Sequence, residues 1–172
     1  MTPKPPVARV PLDQEQVVNA AAELADAEGL DALTLTRVAK ILGVRQPALY
    51  RHVESYQDLL RLLSLRGRDQ LAVALSEAAI GVSGDEAIGA VGRAWRETVL
   101  ASPGLYEATD RYPCAGDEEL EEAVERIVGV IAQALVGFDL DDDHRVHSAR
   151  ALRSAFHGFC HLESGDGHPH PH

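Results

Sequence analysis

The chain has 172 residues, 45% of them hydrophobic and 25% charged, a formal net charge of −11 and two cysteines. That length and apolar content suffice for one or two compact domains with a true core. No run approaches a membrane span, the opening MTPKPPVARVP lacks the apolar centre of a signal peptide, and Cys114 and Cys160 show no metal or redox spacing, so the expected setting is a reducing cytoplasm.

Residues 1–11 carry four prolines with Lys4 and Arg9 and read as a flexible basic arm, either a plain tail or a contact to phosphate or the minor groove. A first helix begins at the cap Asp13. Gln16 sits in the capping-box position, and Leu12 and Val17 form a hydrophobic staple. Val17, Ala20, Ala21 and Leu24 give its apolar face, and Gly29 stops it. A second helix is expected over 35–42, capped by Thr34 or Thr36. Leu35, Val38, Ala39 and Leu42 face inward, and Thr36, Arg37 and Lys40 face outward. Gly43 supplies a turn that needs positive φ. A third helix is expected over 47–53 with Pro47 at its first position, Leu49 and Val53 inward, and Ala48, Tyr50, Arg51 and His52 outward.

The charge is divided unevenly. Residues 1–70 hold nine Lys/Arg and nine Asp/Glu, whereas residues 71–172 hold seven against eighteen. From Ala32 to Val53 there is no acidic residue, and Arg37, Lys40, Arg45 and Arg51 give a local charge of +4. A basic helix-turn-helix inside an acidic chain points to DNA, because phosphates attract a local basic face whatever the net charge elsewhere.

Ser55 opens a fourth helix with Asp58 in the capping-box position. Its face of Leu59, Leu60, Leu62, Leu63, Leu71 and Leu75 makes a connector of some twenty residues. After the break GVSG come a helix over 85–100 (Ile88, Val91, Trp95, Val99), a short piece over 105–109 and an irregular RYPCAG loop. Two more helices are expected over 118–136 (Leu120, Val124, Ile127, Ile131, Leu135, with an acidic first turn) and over 142–162 (Val146, Ala149, Leu152, Phe156, Phe159). No segment alternates with period two. The expected fold is all-α, with a three-helix helix-turn-helix DNA-binding head (12–54) joined by a long helix to a helical-bundle body for ligand binding and dimerisation (55–163). A disordered His/Pro tail is expected over 164–172.

The segment VVNAAAELADAEGLDALTLTRVAKILGVRQPALYRHVESYQDLL resembles the DNA-binding head of TetR-family (tetracycline-repressor-like) transcriptional regulators, through Thr34, Val38, Ala39, Leu42, Gly43, Val44, Leu49, Tyr50, His52, Ser55, Leu59 and Leu60. The body is similar to the WHG type of TetR C-terminal domain, through Trp95, ASPGLYEA and RALRSAFHGF. The resemblance implies a homodimeric repressor in which the third helix enters the major groove and two copies read a palindromic operator. Arg45, Gln46 and Ala48 then face base edges, and Thr36, Tyr50, His52 and Tyr56 hold phosphates, with Arg37 and Arg51 completing the basic face. It also implies a small-molecule effector in the body, for which Trp95, Tyr106, Phe156, His157 and Phe159 are candidate lining residues; the alternative is that these five are simply core.

Two departures from the family pattern stand out. Tyr56 occupies the position after the helix-opening Ser where relatives carry a phosphate-binding Lys. ESGDGHPHPH stands where related bodies continue into a final dimer helix, which implies altered dimerisation or a shortened chain.

Rival readings rest on less. His144/His147, His157/His161 and the tail histidines His168, His170 and His172 suggest a metal-responsive regulator, yet none has the spacing of a known metal site. No GxSxG, HExxH, P-loop or GxGxxG is present, so no enzyme and no cofactor are expected. A helix-turn-helix protein working through protein–protein contacts would not need the acid-free basic face.

Overall fold

The structure, a computed structural model, describes residues 11–164. The arm expected over 1–11, Pro11 excepted, and the His/Pro tail, Ser164 excepted, lie outside the described residues. Among those described there is no strand. The helices are α1 (Gln14–Glu28), α2 (Leu35–Ile41), α3 (Gln46–Leu49), α4 (Tyr56–Ala78), α5 (Gly84–Ala101), α6 (Pro103–Arg111), α7 (Glu118–Ala134) and α8 (Asp142–Ser164), with 3-10 turns at Leu30–Ala32 and Leu135–Gly137. No helix is long and apolar enough to cross a membrane.

Side-chain caps set the helix starts. Asp13 accepts from the Gln16 amide at 2.7 Å, Thr34 from Arg37 at 3.2 Å and Ser55 from Asp58 at 3.0 Å. Each satisfies one of the amide groups that a first turn leaves without an intrahelical partner. Thr34, not Thr36, is therefore the cap of α2. The Asp58 carboxylate accepts in turn from the Glu54 amide at 2.8 Å, one residue before the position a standard capping box uses. Gly29 at φ 84° ends α1 and Gly43 at φ 65° makes the turn between α2 and α3.

The third helix is shorter than its apolar spacing suggests. It starts at Gln46, which puts Pro47 in the second position, and ends at Leu49 rather than Val53. The Leu49 carbonyl accepts from both His52 and Val53, at 2.8 and 3.0 Å, which tightens the chain into a turn. That turn carries Val53 back into the core, where it and Leu49 are both buried.

Two apolar clusters form. The head cluster unites Val17, Leu24, Leu30, Val38, Leu49 and Val53 with Leu59, Leu60 and Leu63 of α4 and with Leu105 and Ala108 of α6. The body cluster gathers Leu71 and Leu75 of α4, Val91 and Trp95 of α5, Tyr106 of α6, Ile127 and Ile131 of α7, and Ala149 and Cys160 of α8. Burial pushes the Cys160 thiol up to about 11, so it is held as a neutral, packed side chain. On α8 the inward face differs from the expected one. Eleven residues make about three helical turns, so Cys160 lies in line with Ala149, while Phe159 is rotated by about 80° and is 54% exposed. Val146 is exposed as well.

Helix α6 is wedged between the clusters. A Cβ on Gly104 would lie 2.2 Å from the Ala25 backbone, so the first turn of α6 abuts α1 with room only for hydrogen. The Leu105 amide donates to the Asp26 carboxylate at 2.9 Å, and Arg111 pairs with Asp31 at 2.8 Å. Where α4 crosses α6, Gly67 lies so close that a Cβ would sit 3.1 Å from the Leu105 carbonyl. Nearer the start of α4, Arg61 binds Asp117 and Glu119 at the start of α7, at 2.5 and 2.6 Å.

Gly104→Ala should therefore force α6 away from α1. An overpacked contact of this kind costs about 1–3 kcal/mol, which for a chain of this size lowers the thermal midpoint by roughly 3–10 °C. Differential scanning calorimetry checks it, and an unchanged midpoint would mean that the contact is looser than the structure shows.

Candidate functional site

The basic face of the head is built on α2, the Gly43 turn and α3. Arg45 occupies the cap position of α3 and is exposed, as are Lys40 and Arg51. The side chains of these three make no ion pair or hydrogen bond among the described residues, so their charges are free to meet an anion. Arg37 differs. It pairs with Glu28 at 2.5 Å and donates to the Ala32 carbonyl at 3.2 Å, tying α2 to α1. The hydrogen bond from Arg37 holds the Glu28 carboxyl below its ordinary range, so the charge of Arg37 is compensated at neutral pH. The segment from Ala32 to Val53 holds no acid, but the fold brings one to it from α1.

Gln46 is held from both sides. Thr36 Oγ1 donates to Gln46 Oε1 at 2.9 Å, and Gln46 Nε2 donates to the Tyr50 hydroxyl at 3.3 Å. The amide keeps one free lone pair and one free N–H. Thr36 and Tyr50 thus act on Gln46 as well as lying on the same face. The i, i+4 spacing of Gln46 and Tyr50 was a sequence signal for half of this link. Ala48 and His52 are half-buried, and the His52 carbonyl accepts from Gln14 Nε2 at 2.9 Å. The Tyr56 ring packs against the head cluster. Burial raises the pKa of its hydroxyl, and the charges that act on it are Arg111, Asp31 and Glu107 at the seam with α6. Its place in the fold is a packing one.

In the body, a cavity of about 100 Å3 is lined by Arg68, Trp95, Tyr106, Asp110, Arg153 and His157 together with apolar side chains. Trp95 Nε1 donates to the Tyr106 hydroxyl at 3.1 Å, and that hydroxyl lies 2.6 Å from His157 Nδ1. His157 Nε2 faces Asp110 at 3.4 Å, and His161 Nδ1 faces the other carboxylate oxygen at 3.5 Å. With Nε2–H turned to the carboxylate, Nδ1 is the acceptor and Tyr106 the donor, so the Trp–Tyr–His–Asp chain is consistently polarised. Burial raises the Tyr106 pKa and keeps it a neutral donor. Phe156 stacks obliquely on Trp95 at a centroid distance of 5.9 Å. Of the five candidate lining residues, Trp95, Tyr106 and His157 line this cavity; Phe156 reaches only the Trp95 ring, and Phe159 lies exposed away from it. Arg68, Asp110 and Arg153, which sequence spacing did not single out, join them because α4, α6 and α8 converge here.

Beside it, a cleft of about 400 Å3 between α1 and α6 is lined by Ala25, Asp26, Gly104, Glu107 and His161, and it shares Tyr106 and Asp110 with the cavity. Among the described residues no group of three or more His, Cys, Asp or Glu is arranged to hold a metal ion. His168, His170 and His172 lie outside those residues.

Over residues 17–63 the chain matches the family described as bacterial regulatory proteins, tetR family, and over residues 88–172 it matches the tetracyclin repressor-like, C-terminal domain. An HTH-type transcriptional regulator of Mycobacterium tuberculosis is 33% identical over 153 residues, which span 88% of this chain and 70% of that protein. YobS, an HTH-type transcriptional regulator of Bacillus subtilis, is 31% identical over 153 residues, spanning 88% and 78%. The crystal structure of BioQ with its double-stranded DNA operator is similar in fold, with a TM-score of 0.70 at 24% identity, covering 91% of this chain and 90% of that one.

The Glu28–Arg37 pair makes a quantitative expectation. In Glu28→Gln the guanidinium is left uncompensated on the basic face, so affinity for non-specific duplex DNA should rise and the slope of log K against log salt should steepen by up to about 0.9. Fluorescence anisotropy at several salt concentrations measures it. An unchanged slope would place Arg37 out of reach of phosphate.

Proposed function

The chain belongs to the TetR family of bacterial regulatory proteins, and from that premise we propose that it is a repressor that binds a palindromic operator as a homodimer and is released by a small-molecule effector. That it is a DNA-binding transcriptional regulator follows from the family itself. The observation that carries the finer reading is the uncompensated triad Lys40, Arg45 and Arg51 around a Gln46 fixed by Thr36 and Tyr50. Free positive charge surrounds a preoriented reader of base edges, with Lys40 and Arg51 suited to phosphate and Arg45 to a base, the division of labour that sequence-specific DNA recognition requires. Arg45, Gln46 and Ala48 are assigned to bases, and Thr36, Arg37, Tyr50, Arg51 and His52 to the sugar–phosphate backbone. Tyr56 is assigned to packing. The similarity in fold to BioQ, which was crystallised on its operator, supports the same mode of docking. A regulator of genomic DNA works in the cytoplasm, which agrees with the absence of a disulfide at Cys114 and Cys160.

Release is assigned to the body cavity. An effector shifts an equilibrium only by the difference in its affinity for two states. Tyr106 and Asp110 line the cavity from α6, and the start of the same helix is bonded to Asp26 of α1. A ligand that moves Tyr106 or Asp110 therefore moves α1, and with it the α2–α3 face. Two heads held on one operator tolerate little change in spacing or tilt, since half-sites repeat with the DNA helix.

Selection of genomic fragments with the purified protein, followed by binding to the enriched site, tests the reading. A two-fold-symmetric site with salt-sensitive affinity is the expected outcome, and no enrichment would contradict it. On that site Arg45→Ala should cost about 1–3 kcal/mol and relax preference at one base pair of each half-site. Arg51→Ala should weaken cognate and scrambled duplexes alike. Unaltered sequence preference in Arg45→Ala would remove α3 as the reader.

A further inference from the structure

We infer that the body cavity is a receptor for a small organic anion, a carboxylate on a short apolar stem, held between Arg68 and Arg153. The inference rests on the reading of the body as the effector-binding unit and adds the chemical class of the ligand.

Arg68 is only 7% exposed, yet no carboxylate pairs with it. Its guanidinium donates to the Ser64 carbonyl and hydroxyl and to the Thr109 carbonyl, the last at 2.9 Å. All three acceptors are neutral, and they use three of the five N–H groups that a guanidinium carries. A buried charge without a counterion is costly, and most proteins pair it. Arg153 acts on it with the same sign, while Cys114 and Asp110 act in the opposite direction without bonding to it. Burial first, and then the field of Arg153, lower the pKa of Arg68. Arg153 lines the same cavity from α8, and its side chain makes no ion pair or hydrogen bond among the described residues.

The only acid among the lining residues, Asp110, is turned to His157 and His161. The cavity therefore presents two arginine charges against one carboxylate that two imidazoles already face. An anion entering it would meet the unused donors of both guanidinium groups, and such charge-assisted hydrogen bonds are stronger than neutral ones. Thr109 lines it as well, and the smaller, apolar part of the wall, from Leu71, Trp95, Val124 and Ile127, suits a short hydrocarbon stem. Its volume of about 100 Å3 equals roughly three waters' share of liquid volume, which limits the ligand to a few heavy atoms.

Trp95 is the chain's single tryptophan and lines the cavity, so its fluorescence reports occupancy. Butyrate, butyramide and inorganic phosphate are titrated into the full-length protein and into Arg153→Gln and Arg153→Lys, with circular dichroism confirming that the variants are folded. The expected result is a saturable response to butyrate, at least tenfold weaker binding of butyramide and of phosphate, at least a tenfold loss in Arg153→Gln, and partial retention in Arg153→Lys. Equal affinity for butyramide, or unchanged butyrate affinity in Arg153→Gln, would overturn the anionic class. Tighter binding of phosphate would overturn the apolar stem, and absence of any saturable butyrate binding, checked by calorimetry, would overturn the site. Butyrate binding that leaves operator affinity unchanged would support the anion site and instead refute the effector role of the body.

Discussion

A single close contact fixes how the two halves of this chain sit together. Gly104 brings the first turn of α6 against the backbone of α1 at a distance that excludes any side chain, and the Leu105 amide is secured to Asp26 there. Leu105 and Ala108 belong to the head cluster, while Tyr106 belongs to the body cluster. At helical spacing, residues 105 and 108 share one face and residue 106 turns to another. One short helix is therefore built into both cores at once. Helix α4 also runs through both, and at Gly67 it approaches α6 closely enough that the two form one crossed pair. Packed interiors transmit displacement because they have little free volume to absorb it.

The electrostatics divide along the same line. The body carries the acidic excess, and the head carries basic side chains that the fold leaves mostly without partners. The exception on the head is Arg37, compensated by Glu28. In the body the exception has the opposite sense: Arg68 is enclosed and bonded only to neutral oxygens, and Arg153 lines the same cavity. Both exceptions are informative because the surrounding region has the opposite balance. A neutralised arginine in a phosphate-binding face and an uncompensated one in an acidic bundle each mark a position where the local role differs from the regional one.

Much of this was legible in the sequence, and the limits of legibility are physical. Helix type and order followed from apolar spacing and caps, with Asp13, Thr34 and Ser55 capping as their side-chain chemistry suggests. The length of α3 did not, because its end is set by the double acceptance at the Leu49 carbonyl, a choice between helix and tight turn that a pattern of inward residues cannot distinguish. Aromatic character alone does not give the inward face of α8, because Phe159 lies about 80° from Ala149 whereas the eleven-residue step to Cys160 returns to line. Local charge counting placed four free cations on the head, and the fold then brought Glu28 to one of them from another helix. The cavity arginines were invisible for the same reason: Arg68 and Arg153 are 85 positions apart, and only the convergence of α4 and α8 makes them neighbours.

In the proposed function, the body and the DNA-reading face are coupled through α6. Coupling between two sites is reciprocal, so engagement of DNA by the head must be felt at the cavity. The direct measurement is hydrogen exchange at residue resolution with and without an operator duplex obtained by fragment selection. The account predicts altered exchange at the Leu105 and Tyr106 amides, which belong to a body helix remote in sequence from the basic face. Protection confined to α2, α3 and the turns beside them, with α6 unchanged, would contradict it.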